Sequence, residues 1–243
     1  MEFRGKTALL TGGTSGIGLA TARLLACEGA AVVISGRDPE RGEKAERLAR
    51  EDGSVRYVQA DMADLESVAE LARRSGPVDI LVNNAGVFPT APALEQSVKG
   101  YEEIFAVNVR GPYFLVAALV PDMLAKGEGA IVNVSTLAAH RGFTGTSVYG
   151  ASKAALEALT RAWAKEFGDG GVRVNSVSPG PVLTEGVVAA YGDAGNEPVA
   201  RDLGIPRTAE PRELAEAICF LASPRAGFVN GTTLHVDAGG AVF

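Results

Sequence analysis

At 243 residues, 47% apolar and 21% charged, the chain can bury a sizeable core in one large α/β domain or two small ones. Its 29 acidic and 23 basic side chains give a net charge of −6 with no Lys/Arg-rich run, which argues against a nucleic-acid or anionic-membrane surface. Cys27 and Cys219 read as packed thiols of a reduced, cytoplasmic protein, and with only His140 and His235, distant in sequence, they offer no zinc-ligand spacing and no metal is expected.

Short apolar runs at 7–11, 31–35, 56–60, 80–83, 130–135, 172–177 and 232–236 predict strands. Most are continuously apolar, as strands buried on both faces of a parallel sheet must be. Helical patterns lie between them, over 16–28, 39–51, 65–74, 101–125, 149–167 and 211–222. The first carries Ile17, Ala20, Leu24 and Leu25 on one side; the second is charged except for a stripe of Ala45, Leu48 and Ala49. No secretory signal is visible. The longest apolar run, 113–120, stops at Pro121, so no membrane span is expected. Strand–helix alternation without repeats predicts βαβ units, hence one α/β domain over 1–243: a doubly wound parallel sheet with helices on both faces. Two irregular stretches interrupt it, 87–99 and 183–209. The second begins at a strand's carboxyl end and reads as a substrate lid or binding loop, with a plain surface excursion as the alternative.

The stretch TGGTSGIG, residues 11–18, sets Gly12, Gly13, Gly16 and Gly18 between the first strand and the first helix. A helix amino terminus there offers unpaired N–H groups and a positive dipole end to phosphate. A side chain at Gly12 or Gly18 would block close approach of backbone to a pyrophosphate, or of helix to sheet. The turn therefore reads as a dinucleotide site at the mouth of the sheet, although its spacing is G-x-x-x-G-x-G.

These residues, with NNAG (83–86), Asn108, YGASK (149–153), SPGPVLT (178–184) and GTTLHVDAGG (231–240), resemble the short-chain dehydrogenase/reductase family over essentially the whole chain. The resemblance implies a Rossmann-like fold, a homotetramer and hydride transfer between a nicotinamide cofactor and a ketone or secondary alcohol. A 3-oxoacyl thioester reductase of the same family, or a non-catalytic dinucleotide-sensing protein, are the alternatives. By resemblance Thr14, Ser15, Gly16 and Ile17 of the turn also contact the cofactor, Asp61 and Met62 its adenine, and Asn83, Asn84, Ala85 and Gly86 its adenosine ribose. Asp61 is equally readable as the N-cap of a helix over 62–74. Pro179 and Gly180 turn beneath the nicotinamide, with Val182 and Thr184 at its carboxamide or the nearby phosphate.

The second strand ends at Gly36-Arg37, where an acid would bind the ribose 2′-hydroxyl of NAD(H). A guanidinium pairs with a 2′-phosphate instead, so NADP(H) is expected over NAD(H). Asp38 beside it points the other way.

Tyr149 and Lys153 stand four apart in a helical stretch and so share a face. A nearby ammonium favours the phenolate form of a tyrosine, which suits it to pass a proton to or from an alcohol oxygen. The resemblance makes Tyr149 the general acid/base, Lys153 its partner and anchor of the nicotinamide ribose, and Asn108 the holder of a relay water, with a polar residue at a helix kink, satisfied by backbone, as the alternative for Asn108. The family's substrate-binding serine falls on Thr136, whose hydroxyl offers the same donor, with neighbouring Ser135 as the alternative. Phe88, His140, Arg141, Phe143, Leu183, Val187, Val188 and Tyr191 are candidate pocket residues, mainly apolar, which suits a small neutral carbonyl compound. Phe105, Val109, Phe114 and Leu115, with Leu156, Leu159, Trp163 and Phe167, form surplus apolar surface for oligomerisation.

Overall fold

The structure, a computed structural model, describes residues 1–192 and 197–242. Seven strands form one parallel sheet: β1 Thr7–Thr11, β2 Ala31–Gly36, β3 Val55–Gln59, β4 Ile80–Asn83, β5 Gly129–Val134, β6 Val172–Pro179 and β7 Thr233–Val236. Their order is β3-β2-β1-β4-β5-β6-β7, so the chain reverses direction across the sheet between β1 and β4. The helices are α1 Gly16–Cys27, α2 Pro39–Ala49, α3 Leu65–Ser75, α4 Val98–Phe105, α5 Gly111–Lys126, α6 Ser147–Phe167, α7 Glu185–Tyr191, α8 Glu197–Ala200 and α9 Pro211–Ala222.

Alternate strand residues feed two cores. Ala8, Leu10, Val32, Ile34 and Val82 face Leu25 of α1 and Leu214 and Ile218 of α9. Leu9, Val33, Leu81 and Ile131 face Leu71 of α3, Leu115 and Leu119 of α5, and Leu156 and Trp163 of α6. Each fully buried aliphatic side chain of this kind contributes about 1.5–3 kcal/mol. Leu115, Leu156 and Trp163 are thus spent inside the protein, not on an oligomer surface as the sequence suggested. Phe114 is 47% exposed and remains outward.

Four sequence expectations are corrected. The helix expected over 101–125 starts earlier and is broken by a π turn, Ala106–Arg110, between α4 and α5. The whole stretch Val98–Lys126 is long and apolar enough to cross a membrane by length and composition, which the broken apolar run concealed; 56% of its most apolar window is buried in the fold, as in a core helix. The stretch 183–209 is not wholly irregular: Thr184 accepts a hydrogen bond from Val187 N and opens α7, and α8 follows. Asp64, not Asp61, caps α3, taking Glu66 N, while Asp61 bonds Ala63 N in the preceding turn. Cys27 is exposed; only Cys219 is packed, and burial raises its thiol pKa.

Candidate active site

The strands' carboxyl ends open, at the reversal between β1 and β4, into a cleft of about 840 Å³. Doubly wound sheets bind ligands at this point. One end is the glycine turn. Gly12 has φ +64°, and a Cβ there would lie 2.9 Å from Ala85 Cα. Thr14, Ser15, Gly16 and Ile17 line the cleft beside it. Gly18 does not: it is buried, and a Cβ would lie 2.2 Å from the Gly12 carbonyl oxygen, so its lack of a side chain serves the packing of α1 on its own turn.

The NNAG segment holds the turn from the other side. Thr11 Oγ1 accepts from Asn84 N and Ala85 N, and Asn84 Nδ2 donates to the carbonyls of Thr11 and Gly12. Asn84, Ala85 and Gly86 line the cleft. Asn83 does not; it is buried in the sheet and donates to Asn133 on β5 at 2.8 Å. Past the end of β2, Arg37, Asp38 and Arg41 line the same wall, near Asp61 and Met62. Asp38 caps α2, its carboxylate taking Glu40 N and Arg41 N, so its charge is engaged at the helix amino terminus. Arg41 was missed in the sequence, although that cap three residues earlier places it in the first turn of α2.

At the centre, Tyr149 and Lys153 of α6 both line the cleft. Lys153 is 3% exposed and donates to the Val134 carbonyl at 2.7 Å. Burial lowers its pKa to about 8. The Tyr149 ring meets Phe88 with centroids 6.1 Å apart. Asn108 sits in the π turn, fully buried and off the cleft wall. Both its amide donors are spent, on Val87 O and Ser152 Oγ, and Oδ1 takes Val87 N. One Oδ1 lone pair therefore remains for the expected relay water. A Cβ on Gly86 would lie 3.2 Å from Lys153 Nζ and 3.3 Å from Asn108 Oδ1, so the three groups converge.

β5 ends at Val134, so both Ser135 and Thr136 lie beyond the strand, and both line the cleft. The Ser135 hydroxyl donates to the Glu157 carboxylate of α6. Thr136 caps the short turn Leu137–Ala139, its Oγ1 accepting from Ala138 N at 3.3 Å, which leaves its hydroxyl hydrogen to be donated. Pro179, Gly180, Val182 and Thr184 complete the wall.

On the substrate side Phe88, Phe143 and Val187 line the cleft as expected, with Thr90, Pro198 and Val199, which the sequence did not single out. His140, Arg141, Leu183 and Val188 do not line it. The side chain of Tyr191 lies outside the described residues. Arg141 stands 5.8 Å over the Phe143 ring. The distant histidines come together, with His140 and His235 ring centroids 4.5 Å apart, though no group of three or more potential ligands forms among the described residues.

The chain is similar to known proteins over nearly its whole length. The family model described as enoyl-(acyl carrier protein) reductase matches residues 12–241. A solved structure described as a short chain dehydrogenase/reductase family protein is 58% identical, covers both chains fully and superposes with a TM-score of 0.95. A blue fluorescent protein from a metagenomic library, solved with NADPH, is 34% identical over all of both chains, with a TM-score of 0.92. The cis-4-hydroxycyclohexanecarboxylate dehydrogenase of Sinomonas cyclohexanicum is 41% identical across 98% of this chain and 97% of its own.

Proposed function

The chain belongs to the short-chain dehydrogenase/reductase family, and from that premise we propose that it is an NADP(H)-dependent oxidoreductase interconverting a neutral ketone and its secondary alcohol. The observation that carries this is Tyr149 and Lys153, one helical turn apart in the wall of a cleft that begins at the glycine turn.

The residues present fit a dinucleotide. The crowded backbone at Gly12 leaves no side chain where a pyrophosphate approaches, and the first turn of α1 turns its amide donors toward it. When bound, the nicotinamide gives or takes the hydride. Tyr149 gives the ketone oxygen its proton, or takes it from the alcohol, and the Thr136 hydroxyl steadies that oxygen with a hydrogen bond. Lys153, held on the Val134 carbonyl, favours the phenolate of Tyr149 and anchors the nicotinamide ribose; Asn108 fixes the Val87 backbone and serves the relay water through Oδ1. Thr136 takes the hydroxyl role because that of Ser135 is committed to Glu157.

Arg37 and Arg41 line the wall where a 2′-phosphate would sit; Asp38 beside them is occupied as a helix cap, while Arg41 pairs with Glu185 at 3.2 Å, a partner the phosphate would have to displace, so Arg37 carries the NADP(H) reading. The 3-oxoacyl thioester reading is favoured by the likeness to a 3-oxoacyl-[acyl-carrier-protein] reductase of Thermotoga maritima, 32% identical across 98% of this chain and 99% of its own. Against it, residues 86–98, 182–192 and 197–200, from which Phe88, Thr90, Val187, Pro198 and Val199 line the cleft, contain no Lys, Arg or His but do contain Glu95, Glu185 and Glu197. Of the basic residues that adjoin these stretches, Lys99 is exposed, and Arg201 and Arg207 pair with Glu197 and Glu213. A phosphopantetheine-borne substrate would find Lys99 but no cluster of basic side chains there. We also place the protein in the cytoplasm, as suits its unpaired Cys27 and Cys219.

The test is dinucleotide oxidation followed by absorbance over a panel of neutral ketones with both reduced cofactors. We expect kcat/KM with NADPH to exceed that with NADH by at least about tenfold, and Arg37→Glu to invert the ratio. Equal use of both overturns the NADP(H) assignment; cofactor binding without turnover of any ketone favours the sensor.

A further inference from the structure

Glu157 is a buried carboxylate that the proposed chemistry leaves unused. Its side chain is 5% exposed, and it stands on α6 one helical turn beyond Lys153, which is itself one turn beyond Tyr149. One oxygen, Oε1, accepts from two groups: the Ser135 hydroxyl and His140 Nε2, the latter at 2.9 Å. Ser135 and His140 are the two ends of the segment that carries Thr136, Leu137 and Ala138, all three in the cleft wall. Resting on the reading above, we propose that Glu157 is a positioning residue, which fixes the turn bearing Thr136 by clamping both its ends to the helix that bears Tyr149.

The rest of the segment is keyed to the same helix. Lys153 holds the Val134 carbonyl just before it. A Cβ on Gly150 would lie 2.4 Å from the Ala138 carbonyl oxygen, so only a glycine admits the turn this close to α6. The outer side of the clamp is backed by the chain's last strand. The His140 ring packs edge-on against that of His235, and His235 Nδ1 lies 3.7 Å from an Asp237 carboxylate that also takes Gly239 N and Ala241 N. A buried carboxylate is costly unless its hydrogen bonds are made, and an aliphatic residue fills such a place more cheaply. What the carboxylate adds is placement. A displacement of about 1 Å at a reacting group costs on the order of a hundredfold in rate.

The test compares Glu157→Leu and Glu157→Gln in the full chain, by steady-state kinetics, cofactor titration and hydrogen exchange of the free protein. In Glu157→Leu we expect kcat for ketone reduction to fall at least about tenfold, with KM for the ketone and Kd for NADPH within about twofold. Amides at 135–141 exchange faster, while those of β1 and β4 keep wild-type rates. Glu157→Gln, whose amide oxygen accepts from the same two donors, recovers most of both readouts. The double variant Ser135→Ala, His140→Phe cuts both arms without touching α6 and reproduces the Leu variant, which covers the case in which Glu157→Leu does not fold. Wild-type kcat and wild-type exchange at 135–141 in whichever of these variants folds overturn the clamp, as does a Gln variant no better than Leu. Absence of ketone turnover in the unmodified chain overturns the proposed reaction instead, and the exchange comparison still decides on the clamp.

Discussion

Lys153 shows what a single side chain costs where it is needed. Its pKa is lowered to about 8 by burial alone, below the ordinary lysine value. The unfolded chain therefore holds this proton more tightly than the folded one. The penalty is fully present below pH about 8 and is relieved as pH rises toward the unfolded value of about 10.4, so this group makes stability rise with pH across that window. Lys153→Met should remove most of the penalty, raising the unfolding free energy at pH 7 by about 2 kcal/mol, while turnover falls more than about a hundredfold. Denaturant unfolding at pH 7 and 9.5 checks it: the variant's advantage should shrink at the higher pH. Tyr149 and Lys153 were legible in the sequence because YGASK, following the fifth strand, resembles the family's motif and its spacing is that of one helical turn. Glu157 was not, since Ser135, His140 and His235, which give it meaning, reach it only through the fold.

Among elements, β1, β4 and α9 were readable to the residue, because a continuous apolar run or a Pro-opened helix marks their ends. Elsewhere boundaries moved by a few residues: β6 runs on to Pro179, since its ladder with β7 continues through Ser178 and Pro179 beyond the apolar run. The break between α4 and α5 was legible only in part: Asn108 also reads as a polar residue at a helix kink satisfied by backbone, and its amide does bond Val87 N and O from within the π turn, but the apolar pattern runs on through the extra residue. α7 and α8 were hidden by the glycines and prolines around them. The glycine turn was legible as a site, but one of its members is a packing device. Gly18→Val should destabilise by about 3 kcal/mol, since the new side chain meets a backbone carbonyl that cannot yield without moving the turn. Thermal unfolding measures this, and an unchanged midpoint would contradict the close approach of α1 to its own turn.

For the molecule as a whole, the doubly wound parallel sheet followed from strand–helix alternation; the strand order with its reversal between β1 and β4 is set by the fold, and the cleft follows from that order. Oligomeric state does not follow in the same way. Tyr101 stacks on Phe105 with centroids 4.8 Å apart, and Tyr101, Tyr113 and Phe114 are each more than 40% exposed on the α4–α5 side. We propose that this aromatic face is covered by further copies of the chain in a homotetramer. Light scattering should give about four times the 25.1 kDa chain mass, and Phe114→Glu should shift it to smaller species. A stable monomer would remove the proposal.

The tethering of residues 134–140 to α6 has a consequence for divergence. Tyr149 and Lys153 stand on α6 and Thr136 in the turn bonded to it, so the three groups proposed for the chemistry share one support, whereas much of the substrate side is furnished by α7, α8 and their flanks. Selection can therefore rewrite what enters the cleft, through segments that share no hydrogen bond with that support among the described residues, while the reacting geometry is inherited intact.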